Sequence, residues 1–453
     1  MADALRGRGD PTSGPLGPAI VLLAVPMVLE MAMESVFAVV DVFFVSRLGS
    51  DALTSVGLTE SMMAIVYTAA MGLSIGVTAT VSRRTGEGDA NAAANATVQG
   101  ILLGGALAAI LGGLGAWQAP NLLRLMGGSE AVVAVGTGYT RTLLGFNGVI
   151  FLLFLLNAAF RGAGDAAIAM RVLWLANGLN IVLDPLLIFG LGPFPELGVT
   201  GAAVATTLGR GTAVLVQLWT LFRISDRLRL GIEHLRVRVD VMGRLIRLSG
   251  TGTFQVFVST ASWIGLVRVI ASFGSEATAG YTVAVRVVLF ALLPAWGLSN
   301  AASTMVGQNL GAEQPDRAEA SAWVAGRMNL AFLGTVGLVF LVFARPIVGL
   351  FAVDPVTAEY AVNGLRIMAA GFPFYAYGMV LTAAFNGAGD AWSPTWMNLG
   401  CFWFLEIPLA WLLAFPLGMG PEGVFVAIAV AFSTLAVVAA IFFRRGGWKA
   451  MAV

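Results

Sequence analysis

Charge is scarce in this sequence. Only 11% of its 453 residues are Asp, Glu, Lys or Arg, against about 25% in soluble globular domains, while 58% are hydrophobic. No soluble fold hides that much apolar surface. Cysteine is nearly absent: Cys401 stands alone in an apolar run, so neither a disulfide within the chain nor a cysteine metal site is available. Histidine is equally rare. His234 is the one example, sits in a basic stretch and reads as a solvated loop residue, which takes away the usual ligands and bases of zinc enzymes and hydrolases. An enzyme is therefore the weakest reading, and no cofactor is expected.

What is present is apolar length. A helix needs about 20 apolar residues to cross a hydrocarbon core about 30 Å thick, and twelve such runs occur, near 18–46, 56–80, 95–117, 131–158, 168–190, 199–222, 246–271, 279–306, 322–344, 358–385, 394–416 and 421–443. The first run is longer than a signal-peptide core and reads as a retained span. The polar Arg8-Gly9-Asp10 string before it reads as tail rather than as an adhesion motif.

Nearly all positive charge is arginine, and its placement is one-sided. The termini and alternate loops hold Arg83, Arg84, Arg161, Arg223, Arg227, Arg229, Arg236, Arg238, Arg244, Arg247, Arg444 and Arg445; the opposite loops hold Arg47, Arg124 and Arg345. The positive-inside rule then puts both termini in the cytoplasm of a cell whose inner or plasma membrane holds the chain.

A shift of 225 residues lays one half on the other. Ala158 to Ala166, AAFRGAGDA, returns as AAFNGAGDA at Ala383 to Ala391; Gly49-Ser50-Asp51-Ala52 returns as Gly274-Ser275-Glu276-Ala277; Val81 and Gly86 return as Val306 and Gly311; Gly198-Val199 returns as Gly423-Val424. Six spans per copy is an even number, so both copies cross in the same sense. The expected fold is an all-α polytopic membrane protein: twelve transmembrane helices in two parallel six-helix lobes related by a pseudo-twofold axis along the membrane normal. Residues 1–17 form a tail, 18–222 the first lobe, 223–245 a basic amphipathic linker on anionic lipid, 246–443 the second lobe and 444–453 a second tail. Parallel repeats of this kind are a transporter architecture, and no filter-like loop favours a channel.

Ionisable side chains inside apolar spans are costly and mark functional candidates. Glu30, Glu34 and Asp41 in the first span are spaced by 4 and 7 and share one helical face. In the fifth span Asn177, Asn180 and Asp184 form another polar stripe. Asp184 beside Asp41 would make a pair of carboxylates fit for proton exchange, whereas the asparagines alone would also serve as interhelical glue. Pro26 and Pro185 each free a carbonyl four residues earlier, at Leu22 and Ile181. Each is a candidate Na+ ligand or hinge, and equally a static bend. Glu34 and Glu30, if they face a cavity, would attract a cationic ligand. Glu406 in the eleventh span reads as a structural ion pair with Arg286 or Arg268. The glycine-rich third span, with Gly100, Gly104, Gly105, Gly112, Gly113 and Gly115, reads as close helix packing.

Four segments carry a family resemblance: RGAGDA at Arg161, NGLNIVLDPLLIFG at Asn177, PELGVTGAAVATTLGR at Pro195 and VGQNLGA at Val306. Together they resemble the multidrug and toxic compound extrusion (MATE) family, in particular its DinF-like and archaeal branch, over residues 18 to 443. The resemblance implies an antiporter that exports amphipathic, often cationic organic compounds against inward H+ or Na+ flow, with H+ favoured here. It implies a monomer whose partners are small organic cations, amphipathic drugs and membrane lipids, with no nucleic acid. It assigns Asp41, Asn180, Asp184 and a sixth-span threonine, of which Thr206 is preferred to Thr200 and Thr207, to a cation site with Asn157 close by; Na+ would sit at Asp41, Asn180 and Asp184. Where relatives often carry a tyrosine in the first span, this chain has Phe37, beside the substrate-facing Glu34 and Glu30. The branch with a C-terminal cation site uses acids in the seventh and tenth spans; Gln255 and Tyr375 stand at those places. A lipid-linked precursor flippase of the wider superfamily is the alternative, but such proteins usually have more helices and a cationic cavity.

Overall fold

In the computed structural model, which describes residues 11–225, 227–351 and 353–451 apart from the side chains of 38, 39, 41 and 42, the chain is helical almost throughout and no strand occurs among the described residues. The helices are α1 (Leu16–Val45), α2 (Ser50–Gly86), α3 (Ala90–Leu125), α4 (Glu130–Gly145 and Gly148–Gly162), α5 (Ala166–Ile188), α6 (Val199–Arg223), α7 (Val239–Ala271), α8 (Ser275–Gly311), α9 (Pro315–Gly349), α10 (Pro355–Ala370 and Phe372–Gly387), α11 (Trp392–Ala414) and α12 (Pro421–Arg445). Ten are long and apolar enough to cross a membrane as single pieces; α4 and α10 reach that length as pairs bent by 40° and 59°. In α10 the second half opens on Phe372-Pro373, where proline sits in a first helical turn that needs no donor. Several helices outrun their apolar cores: α2 has 37 residues, about 55 Å at 1.5 Å per residue, against a hydrocarbon core of about 30 Å. This is why the apolar runs underestimated its ends.

The nine-residue repeat is a helix stop followed by a helix start. Gly164 and Gly389 adopt φ of 82° and 87°, a left-handed conformation that glycine takes without steric cost. The amides that follow close the motif: Asp165 N donates to Phe160 O at 2.8 Å and Asp390 N to Phe385 O at 2.9 Å. Asp390 then caps α11, accepting from Ser393 N at 3.0 Å. The first glycine of each copy serves packing, since a Cβ at Gly162 would meet Thr78 O and one at Gly387 would meet Ser303 O, again 225 residues apart. The register slips near the end of each copy. Gly198 and Gly420 cap α6 and α12 with nearly equal dihedrals, φ 56° and 59°, so these helices correspond at an offset of 222, and Gly198 does not pair with Gly423. The α11–α12 loop is shorter than the α5–α6 loop, which absorbs the difference.

The chain divides into two compact units, and the division runs through helices rather than through the linker. Among the described residues, one unit lies within 29–253 and the other within 11–28 and 254–451. The expected lobes, 18–222 and 246–443, thus exchange the first half of α1 for the first half of α7. The cut points, 28/29 and 253/254, are related by the 225-residue repeat. Glycine makes both crossings possible. In the first unit Gly72 of α2 faces the backbone of Thr253; in the second, Gly297 of α8 leaves room for Val28 N, at 2.6 Å from where a Cβ would be, and for Met27 C at 2.7 Å.

The linker folds onto the first unit. Leu228 and Leu230 are buried in its core, while Ile232 and Leu235 are exposed, so the amphipathic pattern divides between protein and surroundings. Gln99 of α3 pairs with it twice, donating to Arg236 O at 2.9 Å and accepting from Arg238 N at 3.1 Å. Arg227 Nη1 donates to Gly164 O at 3.0 Å. Burial raises the affinity of neighbouring Asp165 for its proton, opposed by Arg227 and Arg171. His234 is not solvated: it is buried, accepts Gly231 N–H on Nδ1 at 2.8 Å and places Nε2 3.3 Å from Asn91 Oδ1. A lone imidazole with a donor on one side and an acceptor on the other latches the linker.

Candidate functional site

Three polar groups lie within the first unit, each built across helices that are otherwise apolar. The deepest is centred on Asp184 of α5, which is fully buried. Asn180, one turn earlier, satisfies both of its neighbours when its amide nitrogen faces the acid. It then donates to Asp184 Oδ2 at 2.8 Å and accepts from Thr206 Oγ1 at 3.0 Å and Thr206 N at 2.9 Å. Thr206 is the sixth-span threonine that reaches the site. Thr207 donates instead to Ala203 O at 2.8 Å, and Thr200 packs against Gly138. α5 and α6 approach closely enough for this because Gly209 has no side chain: a Cβ there would meet Ala176 O at 2.6 Å. The side chain of Asp41 lies outside the described residues.

A second group holds Glu30, which is buried with 1% exposure. Its Oε1 accepts from Asn157 Nδ2 at 3.0 Å and from Arg161 Nη1 at 3.3 Å, and Oε2 has no hydrogen-bond partner. Gln217 of α6 donates to Asn157 Oδ1 at 2.5 Å. Asn157 thus joins Glu30 and Gln217. Arg161, which sequence position puts in a loop, turns inward at the end of α4 and neutralises Glu30.

The third group surrounds Glu34, whose side chain keeps 33% exposure. Its carboxylate accepts from Arg210 Nη2 at 3.0 Å and from Asn177 Nδ2 at 3.2 Å. The Arg210 guanidinium also donates to the Tyr67 hydroxyl at 3.3 Å and lies 5.3 Å from the centre of the Phe37 ring. Glu34 is therefore not a lone negative charge. Asn177 and Asn180, three residues apart on one stripe, serve different groups.

Arg210 and Gln217 lie outside the acidic residues that sequence reasoning singles out, although a signal for them exists. Thr206, Arg210 and Gln217 are spaced by 4 and 7, like Glu30, Glu34 and Asp41, so α6 carries a polar stripe whose members reach α5, α1 and α4 in turn. An arginine inside a span is as informative as a carboxylate there. Among the described residues, no cluster of three or more His, Cys, Asp or Glu forms a metal-binding group. In the second unit Glu406 is buried, and Arg268 and Arg286 are both exposed, so the expected ion pair does not form.

Comparison with known proteins places this arrangement. The MatE profile matches residues 26–186 and 253–412, one match in each half. The chain is 25% identical over 436 residues to the probable multidrug resistance protein NorM of Thermotoga maritima, covering 96% of this chain and 93% of that one. It is 26% identical over 409 residues to the FAD transporter of Shewanella oneidensis, covering 90% of each. A solved MOP superfamily transporter from Pyrococcus furiosus, described as having a binding pocket of reverse polarity, superposes with a TM-score of 0.90 at 25% identity over 100% of this chain and 99% of that one. A duplicated twelve-helix membrane protein with a profile match in each repeat leaves one assignment: the chain belongs to the MatE family, whose members are transporters and not enzymes.

Proposed function

We propose that this protein is a secondary active exporter of amphipathic organic compounds, of the kind named in its multidrug-resistance relatives, driven by proton antiport through Asp184. The observation that carries this reading is the setting of Asp184: full burial, an amide donor from Asn180, and Thr206 holding that amide. Glu30 and Glu34 are each paired with an arginine, at 3.3 and 3.0 Å, and Asp184 is the most deeply buried of the three acids. With Asn180 oriented toward the acid, its carbonyl oxygen is spent on Thr206. A hard cation wants about six oxygen ligands, and with Asn180 so oriented its carbonyl is already engaged, which favours H+ over Na+.

Coupling follows if Asp184 is protonated in one conformation and ionised in the other, since a one-unit difference in proton affinity between conformations is worth about 1.36 kcal/mol. Pro26 is the proposed hinge: it lies in α1 two residues before the cut between the units. The test is efflux of a fluorescent amphipathic cation from proteoliposomes under an imposed pH gradient or Na+ gradient, each at clamped potential. Export that follows Na+ and ignores pH refutes proton coupling.

Arg210 favours a second reading of the cargo. A guanidinium between a carboxylate, a tyrosine hydroxyl and a phenyl ring recognises anionic aromatic compounds as readily as Glu34 recognises cations, and one relative is named for a flavin nucleotide. Competition of cationic and anionic aromatic compounds in the same efflux assay separates the two.

A further inference from the structure

The second unit contains an acid that the proposed coupling does not use. Glu406 is 1% exposed, its Oε1 has no hydrogen-bond partner, and it forms no ion pair among the described residues. It closes an eight-residue π-helical segment of α11, Leu399–Glu406. Such segments are rare and concentrate at functional sites. Pro408, two residues on, supplies no N–H to the turn before it. Phe402, four residues back, packs on Phe432 of α12 at 4.8 Å, and Phe432 packs on Tyr375 of α10 at the same distance. Tyr281 of α8 stacks on Phe425 of α12 at 6.0 Å. Aromatic contacts thus tie α11 to α12, and α12 to α10 and α8.

The groups around it are few. Tyr281, Tyr375 and Cys401 lie within electrostatic reach of Glu406, and the hydroxyls of both tyrosines are buried without a hydrogen-bond partner. On α7, Arg268 is exposed and the buried polar residues, Ser249, Thr251, Gln255 and Ser262, are uncharged; on α8, Arg286 is exposed; on α10, Arg366 donates to Leu341 O; on α12, Glu422 accepts from Asn363. Among the described residues, no cation neutralises the acid.

We propose that Glu406 is a proton-binding site of the second unit, with Tyr281 and Tyr375 as the hydroxyls that set its proton affinity. In the present arrangement neither hydroxyl bonds to the carboxyl, so the neutral acid is the form that fits. A conformation in which one or both phenols donate to it stabilises the carboxylate and releases the proton. Phenol hydroxyls both donate and accept, and so suit either state. One carboxyl, two hydroxyls and a thiol fall short of the oxygen ligands a hard cation takes, which assigns the site to H+. The site is separate from Asp184 and stands whether or not the coupling proposed there is correct.

The test is pH-difference infrared spectroscopy of the full-length protein in lipid, reading the C=O stretch of protonated carboxylic acids. A band is expected that weakens as pH rises, is absent in Glu406→Gln and persists in Asp184→Asn. Tyr375→Phe should keep the band and carry its midpoint to higher pH, because a donor to the ionised form is gone. This variant also serves if Glu406→Gln does not fold. A band unchanged by Glu406→Gln, or a midpoint unmoved by Tyr375→Phe, overturns the proposal. So does a shift on adding Na+ at fixed pH as large as that produced by pH.

Discussion

Replacing Gly297 with alanine tests whether the exchange of half-helices depends on backbone contact. The added Cβ would lie 2.6 Å from Val28 N, 2.7 Å from Met27 C and 2.8 Å from Met27 O, whereas relaxed carbon contacts are about 3.5–4.0 Å. All three are main-chain atoms of α1, so no side chain can swing aside, and the helices must part by roughly 1 Å. Overpacking of this kind costs about 1–3 kcal/mol, set against the gain of about 1 kcal/mol that alanine brings to a helix interior. Gly334 of α9 supplies the control, being helical, in the same unit and with nothing within 4 Å of a new Cβ. Gly334→Ala should be neutral or stabilising. Gly297→Ala should fall below it by roughly 1–3 kcal/mol, because the helix-propensity gain is common to both variants and only the overpacking cost differs; at about 2–4 °C per kcal/mol for a unit of this size this separates the melting temperatures by at least ~2 °C. The measurement is thermal unfolding of the purified full-length protein in detergent. Equal melting temperatures for the two variants would refute the argument.

The polar groups give further outcomes. Asp184→Asn keeps the volume and mimics the protonated acid, so it should abolish gradient-driven efflux while leaving membrane expression intact; near-normal export would send the coupling elsewhere. Glu34→Gln removes the carboxylate charge beside the Arg210 guanidinium and should shift preference from cationic toward anionic aromatic substrates; equal loss for both classes in efflux competition would make Glu34 structural. His234→Ala strips Gly231 N–H of its acceptor, at a cost of about 1–3 kcal/mol. Limited proteolysis should then cut the 223–245 linker faster than in the parent, and an unchanged rate would mean the imidazole is no latch.

The sequence by itself determined the features that depend only on counting along one chain. Apolar length against bilayer thickness gave twelve spans, and the 225-residue offset gave the duplication. The spacing of Asn180 and Asp184 on one face gave the core of the buried site, because positions three and four apart on a helix are neighbours whatever surrounds them. Counting left open which helix faces which. Tertiary structure alone decided that the units are cut within α1 and α7, since glycines at 72 and 297 permit crossings that no one-dimensional pattern reports. It decided that Arg161 and Arg210 turn inward to Glu30 and Glu34, that Asn157 serves Glu30 rather than Asp184, and that His234 is buried. It also decided that Arg268 and Arg286 are exposed while Glu406 is buried. Charge in a membrane span must be compensated, but the partner comes from another helix, and only the packing of helices selects it.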